Sequence, residues 1–448
     1  MRLSNHTIVV DDYPEKGSYL LYNTRTQALV KIDAALKAAI EQEAVGQPVE
    51  AVHHQNLTRL HAMGILMESE EEEQEHLRRF LHQLKFHLNP GMFMATILTT
   101  YACNFKCVYC FEESSRQNEK MTTATADQAM RWIRNRVERE GHREVCLIFY
   151  GGEPLTNRPL LEYVAERMQA WCASTGRRFR FILQTNGYLL TRACVESLLP
   201  LGLTNVRISV DGCAEVHDKN RPLRGGGGTF DRIIANIKAN VDRVRIGISS
   251  GYERGEVGHI RDLVDYLDKE GILPKLDRFV FSPIHPTLGP DGQETNVRLP
   301  ECARNCQDEY LIRSARAINT LKDQKNIPMK NGLAIAACPL TREFGSVTID
   351  QQGRIYKCNS MLGHEKLALG DVWSDEPNDR HREFRDLDVW RQCPQDCAYL
   401  PMCSGGCRLI SFLETGHFTT PGCRKAYLRR MLPEFIKREY DKTRASQN

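Results

Sequence analysis

A chain of 448 residues with 41% hydrophobic and 26% charged residues is long enough for two or three domains. Its formal net charge of +3, with no basic stripe interleaved with aromatics, argues against nucleic acid and anionic membranes as partners. No apolar run reaches bilayer length and the opening "MRLSNHTIVVDDYPEKG" lacks a signal-peptide pattern, so a cytoplasmic location is expected.

Residues 1–90 contain no cysteine and form the first expected module. "SYLLYNTRTQALVKID" reads as two extended segments around a polar turn at Asn23–Thr26. "AALKAAIEQE" follows at helical spacing, "NLTRLHAMG" is a second helix closed by Gly64, and "ILME" a short strand. Hairpin, helix, helix, strand is the order of a winged-helix-like module. "ESEEEEQEHLRRFLHQLKFHL" is expected to be a connecting helix with a solvated acidic run.

From residue 91 to 290 short apolar strands alternate with amphipathic helices. The strands are "MFMATILTT", "EVCLIFY", "FRFILQT", "NVRISVDG", "VRIGISS" and "RFVFSPI". Six strands with crossover helices predict an α/β fold: a partial (β/α)6, TIM-like barrel with a parallel sheet. In such barrels ligands sit at the C-terminal strand ends. A three-cysteine loop, "GGEP", "TNG" and "SVDG" all fall there. Residues 291–335 read as a bridging region, 336–430 as a Gly- and Cys-rich segment with little core of its own, and 431–448 as a C-terminal tail with a frayed "RASQN" end.

Sixteen cysteines are the compositional anomaly. In a reducing cytosol they persist as thiols or bind metal. Cys146, Cys172, Cys194 and Cys213 fall in or beside apolar segments and read as small buried hydrophobes. Cys103, Cys107 and Cys110 instead crowd into "YACNFKCVYCFEE", with no fourth Cys or His in the following residues. Three thiolates at that spacing can hold three corners of a four-iron cubane and leave one iron open, the logic of an open catalytic metal site.

This loop, with Tyr109 before its last cysteine, resembles that of the radical S-adenosylmethionine (radical SAM) superfamily. The resemblance implies that S-adenosylmethionine chelates the open iron and is cleaved to a 5′-deoxyadenosyl radical. It extends to Gly151-Gly152-Glu153-Pro154, where glycines let backbone approach a ligand and the carboxylate is expected to pair with the cofactor's ammonium. Asn186, Ser209 and Asp211 are the implied contacts for cofactor carboxylate and ribose, with Arg221 in the following loop. The glycine run 225–228 lacks the Lys-Ser/Thr of a phosphate loop and is not read as one.

The C-terminal cysteines resemble the SPASM extension of radical enzymes. Cys338, Gly353 and Cys358 are followed by Cys393, Cys397, Cys403 and Cys407 in "CPQDCAYLPMCSGGC", then Cys423; one spacing is a residue longer than the family pattern. The resemblance implies two auxiliary clusters, three 4Fe–4S clusters in all. Cys393, Cys397, Cys403 and Cys423 would hold the second auxiliary cluster; Cys338, Cys358 and Cys407 the first, whose last iron is either open or bound by Cys302 or Cys306. A zinc ribbon is the alternative for these pairs.

By resemblance the N-terminal module would recognise the leader of a ribosomally made precursor peptide through strand addition. The expected enzyme is a peptide maturase, fed by an electron donor such as flavodoxin or ferredoxin, that forms thioether cross-links from Cys sulfur to carbon. Alternatives are carbon–carbon cross-linking, epimerisation with Cys194, Cys213, Cys302 or Cys306 as hydrogen donor, and formylglycine formation by a sulfatase maturase. Against the last, Asn359 stands after Cys358 where that family usually carries a basic aspartate.

Overall fold

The computed structural model describes residues 1–87, 91–110, 112, 120–253, 257–284, 287–288, 294–295, 309–327, 333–335, 337–374 and 378–445. Cys302 and Cys306 lie outside the described residues. Two compact units divide the chain. One gathers Met1–His87, Lys330–Glu343 and Asp386–Asn448; the other gathers Leu88–Met329 and Phe344–Arg385.

The first unit opens with β1 (Arg2–Leu3), β2 (Thr7–Val10), β3 (Ser18–Asn23) and β4 (Leu29–Asp33). Then come α1 (Ala34–Ala44), α2 (Ala51–Ala62), β5 (Leu66–Met67) and α3 (Glu70–Phe86). β2, β3 and β4 form an antiparallel sheet in that order, and β1 pairs with β5. The expected hairpin is β3–β4. Asn23 turns it, its Oδ1 accepting from the Arg25 and Thr26 amides at 3.0 Å each. The same side chain donates to the Gly64 carbonyl at 2.6 Å and so ties the hairpin to the end of α2. β1 and β2 are additions to the expected order.

α3 departs from the expected solvated linker. Ser69 caps it and Glu70 to Glu73 complement its positive end. Glu73, however, is buried and receives Arg2 Nη2 at 2.6 Å, the Ser4 hydroxyl, and His6 Nδ1 at 3.2 Å. Burial pushes its carboxyl up, but His6, Ser4 and Arg2 outweigh it and hold the group at about 2. Further along the same face Leu77 and Leu81 pack against Val389, Trp390 and Leu400, with Cys393 and Cys397 at the edge of that cluster.

In the second unit the βα rhythm is realised in full. β6 (Met92–Leu98) leads through the cysteine loop to α4 (Thr123–Glu140), and β7 (Glu144–Tyr150) to α5 (Arg158–Ser174). β8 (Arg178–Thr185) precedes α6 (Arg192–Leu198), and β9 (Leu203–Ser209) precedes α7 (Ala214–Asn220) and α8 (Phe230–Asn240). β10 (Arg245–Tyr252) is followed by α9 (Val257–Lys269) and β11 (Arg278–Pro283). Each helix buries one stripe; in α9 it is Ile260, Leu263, Val264 and Leu267, the spacing of a single helical face. The strands are near-continuous apolar runs because parallel strands are covered on both faces. β12 (Thr287–Leu288) and β13 (Glu294–Thr295) pair with each other, and α10 (Glu309–Gln324) follows.

The sheet does not stop at six strands. β14 (Val347–Ile349) pairs parallel to β6 and β15 (Ile355–Tyr356) antiparallel to β14, giving the order β11-β10-β9-β8-β7-β6-β14-β15. Gly353 makes the β14–β15 turn at φ 85°, which is why the cysteine pattern carries a glycine there. Cys358 follows β15 within this unit. α11 (Asp379–Asp386) closes the segment.

The chain then returns to the first unit with α12 (Leu400–Cys403), α13 (Arg408–Thr415) and α14 (Lys425–Ala445). The tail expected from residue 431 is instead the body of α14. Its Leu432 and Ile436 share a core with Val10, Leu20, Tyr22 and Met402. Each such side chain contributes roughly 1.5–3 kcal/mol when buried.

Candidate active site

The cysteine loop leaves β6 at the C-terminal edge of the sheet, and a second segment straps it in place. Lys106 N–H donates to the Pro222 carbonyl at 2.9 Å, Val108 to Asn220 at 3.0 Å, and Arg224 back to Asn104 at 2.8 Å. Phe105 is fully buried, edge-on to Tyr188. The glycine run finds its reason here. Gly226 and Gly227 turn the strap at φ 88° and 101°. Gly228 leaves room for Asp218, whose Oδ1 accepts from the Thr229 and Phe230 amides at 2.7 and 2.9 Å to start α8.

Cys103, Cys107 and Cys110 are all partly exposed on this loop. Two of them are flanked by donors. Asn186 Nδ2 lies 3.9 Å from Cys103 Sγ, and Arg221 Nη1 lies 3.9 Å from Cys107 Sγ. Three thiols on one turn, beside an amide and a guanidinium, fit the cluster that the sequence implies. Among the described residues no group of three or more His, Cys, Asp or Glu side chains converges on a single metal ion. Cubane thiolates each bind a different iron, so they stand further apart than ligands sharing one ion.

Asp211 organises the rest. Its Oδ2 accepts from Arg221 Nε at 2.8 Å and from the Tyr109 hydroxyl, and its Oδ1 from the Gly251 amide at 3.1 Å. Arg221 also stacks over the Tyr109 ring, 5.3 Å from its centroid. Burial works against the Arg221 charge, but Asp211, Tyr109 and Cys107 outweigh it and push the guanidinium pKa well above its ordinary value. Burial pushes the Tyr109 phenol well up, so it stays a donor. His217, which no sequence motif marks, accepts from the Asp211 amide at 3.3 Å; burial lowers it to about 4, leaving it neutral. Ser209 is the partly exposed last residue of β9, in register with Ser249.

The "GGEP" segment packs directly against the cysteine loop. A Cβ on Gly151 would stand 2.3 Å from the Thr100 carbonyl oxygen, and one on Gly152 2.3 Å from that of Tyr101. The glycines therefore let β7's exit press against the backbone that carries the cysteines. Glu153 is fully buried, and both of its carboxylate oxygens are engaged within the chain. One oxygen accepts from the Asn186 amide at 2.7 Å; the other accepts from Thr185 Oγ1 at 2.7 Å and the Leu155 amide at 3.1 Å. Burial raises its carboxyl to about 7 against those three donors. Pro154 starts the short 3-10 turn Pro154–Asn157. Asn104, likewise unmarked in the sequence, accepts from Asn186 Nδ2 at 2.8 Å and completes the brace from Glu153 to the cysteine loop.

In the first unit Cys393, Cys397, Cys403 and Cys423 form one electrostatic group. Burial pushes the Cys393 thiol up to about 11, followed by the charges of Cys403, Cys397 and Cys423. A glycine pair lets the segment after Cys403 approach the one before Cys423. A Cβ on Gly406 would lie 2.0 Å from the Gly422 carbonyl oxygen, and Gly422 N–H donates to the Gly405 carbonyl at 2.9 Å. Cys338 and Cys407 belong to this unit and Cys358 to the barrel unit. Among the isolated cysteines Cys146, Cys172 and Cys194 are buried, whereas Cys213 is only partly so.

The Radical SAM superfamily model matches residues 97–267, which hold the cysteine loop and its strap. The AdoMet-dependent heme synthase of Methanosarcina barkeri is 35% identical over 140 residues, 31% of this chain and 36% of that protein. The chain thus aligns with little more than a third of that relative's length. A cysteine-type anaerobic sulfatase-maturating enzyme of Clostridium perfringens is 30% identical over 329 residues, 68% of this chain and 86% of that one. In fold the chain is similar to anSMEcpe with bound AdoMet, with TM-score 0.62 at 18% identity over 77% of this chain and 98% of that one. It is also similar to Streptococcus suis SuiB bound to precursor peptide SuiA, with TM-score 0.55 at 15% identity over 95% of this chain and 99% of that one. The chain belongs to the radical SAM superfamily.

Proposed function

We propose that this radical SAM enzyme is a peptide maturase that joins cysteine sulfur to carbon within a ribosomally made precursor. The observation carrying a peptide substrate is the three-stranded sheet of the first unit. Its β4 pairs only with β3 among the described residues and exposes Lys31 and Asp33, an edge to which an extended leader can add. Support comes from the fold likeness to SuiB, which is described with a bound precursor peptide. Among the described residues no helix is long and apolar enough to cross a membrane, and a cytoplasmic location is part of this proposal.

Cys103, Cys107 and Cys110 would hold the radical cluster, and S-adenosylmethionine bound there supplies a 5′-deoxyadenosyl radical. The residues around it bind and orient. Gly151 and Gly152 fix the loop, Asn186 and Arg221 flank two of its sulfurs, and Asp211 holds Tyr109 and Arg221. Cys393, Cys397, Cys403 and Cys423 would carry one auxiliary cluster; the family resemblance assigns Cys338, Cys358 and Cys407 to another. In the cross-link one C–H and one S–H bond break and one C–S bond forms. The hydrogen atom from carbon would go to deoxyadenosine and the thiol proton to solvent; the cluster that Cys393, Cys397, Cys403 and Cys423 would hold could take the remaining electron, with a flavodoxin- or ferredoxin-type carrier as its final acceptor.

Formylglycine formation is the second reading, favoured by the alignment with the Clostridium perfringens enzyme. Against it, Asn359 replaces the expected aspartate, and its Oδ1 is held by Thr348 Oγ1 at 2.5 Å. Buried Cys194 speaks against epimerisation through that thiol. The test is a mass spectrum of a Cys-rich peptide encoded beside the gene, after co-expression and with thiol alkylation. Loss of two hydrogens and one alkylatable thiol per link is expected. The same mass loss with every thiol reactive would replace this reading with carbon–carbon cross-linking, and a hydrazide-reactive aldehyde would replace it with formylglycine formation.

A further inference from the structure

Arg408 is among the largest fully buried side chains of the molecule. It sits at the first position of α13, directly after Cys407. Nη1 donates to the carbonyls of Phe418 at 2.9 Å and Thr420 at 2.7 Å, and Nη2 to those of Gly405 and, at 3.3 Å, Gly406. These four carbonyls belong to the two loops that bring Cys403 and Cys407 toward Cys423. Nε is buried with no hydrogen-bond partner among the described residues.

A buried guanidinium held only by neutral carbonyls is costly, because its charge is left without an anion. The Gly405 and Gly406 carbonyls it holds lie in the chain between Cys403 and Cys407, and burial, which lowers the Arg408 pKa, is opposed by Cys338, Cys407, Cys393 and Cys403. These cysteines belong to both proposed auxiliary ligand sets, so one cation stands beside both. Loaded clusters would supply the negative charge that the buried cation lacks, and the orphan Nε–H a sulfur acceptor.

We propose that Arg408 is a positioning residue shared by the two auxiliary clusters, fixing their cysteine loops and holding a positive charge beside both ligand sets. The inference rests on the auxiliary-cluster reading above. Reduction adds an electron to a cluster, and a nearby cation and hydrogen bonds to sulfur stabilise the reduced form. Arg408 therefore raises the potentials of the auxiliary clusters and leaves the radical cluster untouched.

The experiment is an EPR-monitored redox titration of the full chain after anaerobic reconstitution, with iron and sulfide counted first. In Arg408→Gln at wild-type iron content, the auxiliary signals should reduce at more negative potential, by at least tenfold in the equilibrium, about 59 mV for one electron. Arg408→Lys should lie between the two proteins, and the radical-cluster signal should not move. Equal auxiliary potentials in all three proteins would overturn the proposal and leave Arg408 a purely structural clamp. Should Arg408→Gln not take up iron, hyperfine spectra of 15N-arginine-labelled wild type and Arg408→Lys decide. A nitrogen coupling to reduced auxiliary clusters that vanishes in the lysine variant is expected, and its absence from both overturns the idea. A wild-type count of a single cubane defeats the auxiliary-cluster reading itself, which separates the two failures.

Discussion

Glu153 is a carboxyl that the fold has taken out of water. Its carboxyl is raised to about 7 by burial, from an ordinary value of 4.5, although three donors oppose the change. For a carboxyl raised in the fold, the associated stability is fully present below pH 4.5 and is lost as pH rises through about 7. Every tenfold change in the proton affinity of such a group is worth about 1.4 kcal/mol. Urea unfolding of the wild type between pH 5 and pH 8 should therefore show a decline that Glu153→Gln lacks; parallel profiles would place the charge elsewhere. The glutamine should also loosen Asn186, since its amide can present a donor to the Asn186 N–H that Glu153 now accepts. The three-cysteine loop stands out at this scale because its spacing is local. Glu153 stands out in the same way, but its partners do not, and neither Asn104 nor Arg408 is marked at all, since those contacts are brought in by the fold.

At the scale of elements, the six barrel strands could be read because buried parallel strands are written as unbroken apolar runs such as "EVCLIFY". β14 could not, being three residues long. α14 was hidden for two reasons. Pro433 interrupts its helical pattern, and its apolar face answers to β2 and β3, some 400 residues upstream. The N-terminal elements are therefore no detachable recognition module. Deleting residues 1–87 should strip α3 from Trp390 and Leu400 and from the neighbouring Cys393 and Cys397, and bare Leu432 and Ile436. The expected result is loss of the auxiliary iron and sulfide along with peptide binding, read by metal analysis of the purified truncation. Full iron content would show that the cysteine-rich segment folds unaided.

For the molecule as a whole, radical chemistry and the Cys393 group belong to different compact units. Loading should divide accordingly. Cys107→Ala should abolish deoxyadenosine formation while the auxiliary iron stays, measured by chromatography of reaction mixtures and by iron analysis of the same sample. Continued deoxyadenosine formation would remove Cys107 from the radical cluster. The two-unit division itself was only partly legible. Composition separated the N-terminal, barrel and cysteine-rich stretches, but the sequence could not say that the first and last would share one core, because complementary apolar faces carry no address.

That shared core has a consequence for how the protein is made. The sheet of β2, β3 and β4 leaves the ribosome early, while α14, which covers Val10, Leu20 and Tyr22, is among the last elements to be synthesised. At about 5–20 residues per second the gap is on the order of 20 to 80 seconds. Throughout it the nascent chain presents an uncovered apolar sheet while the entire barrel is translated. Such a nascent chain calls for a chaperone at its N-terminus, and slowed translation of the barrel would lengthen its exposure and lower the yield of folded enzyme.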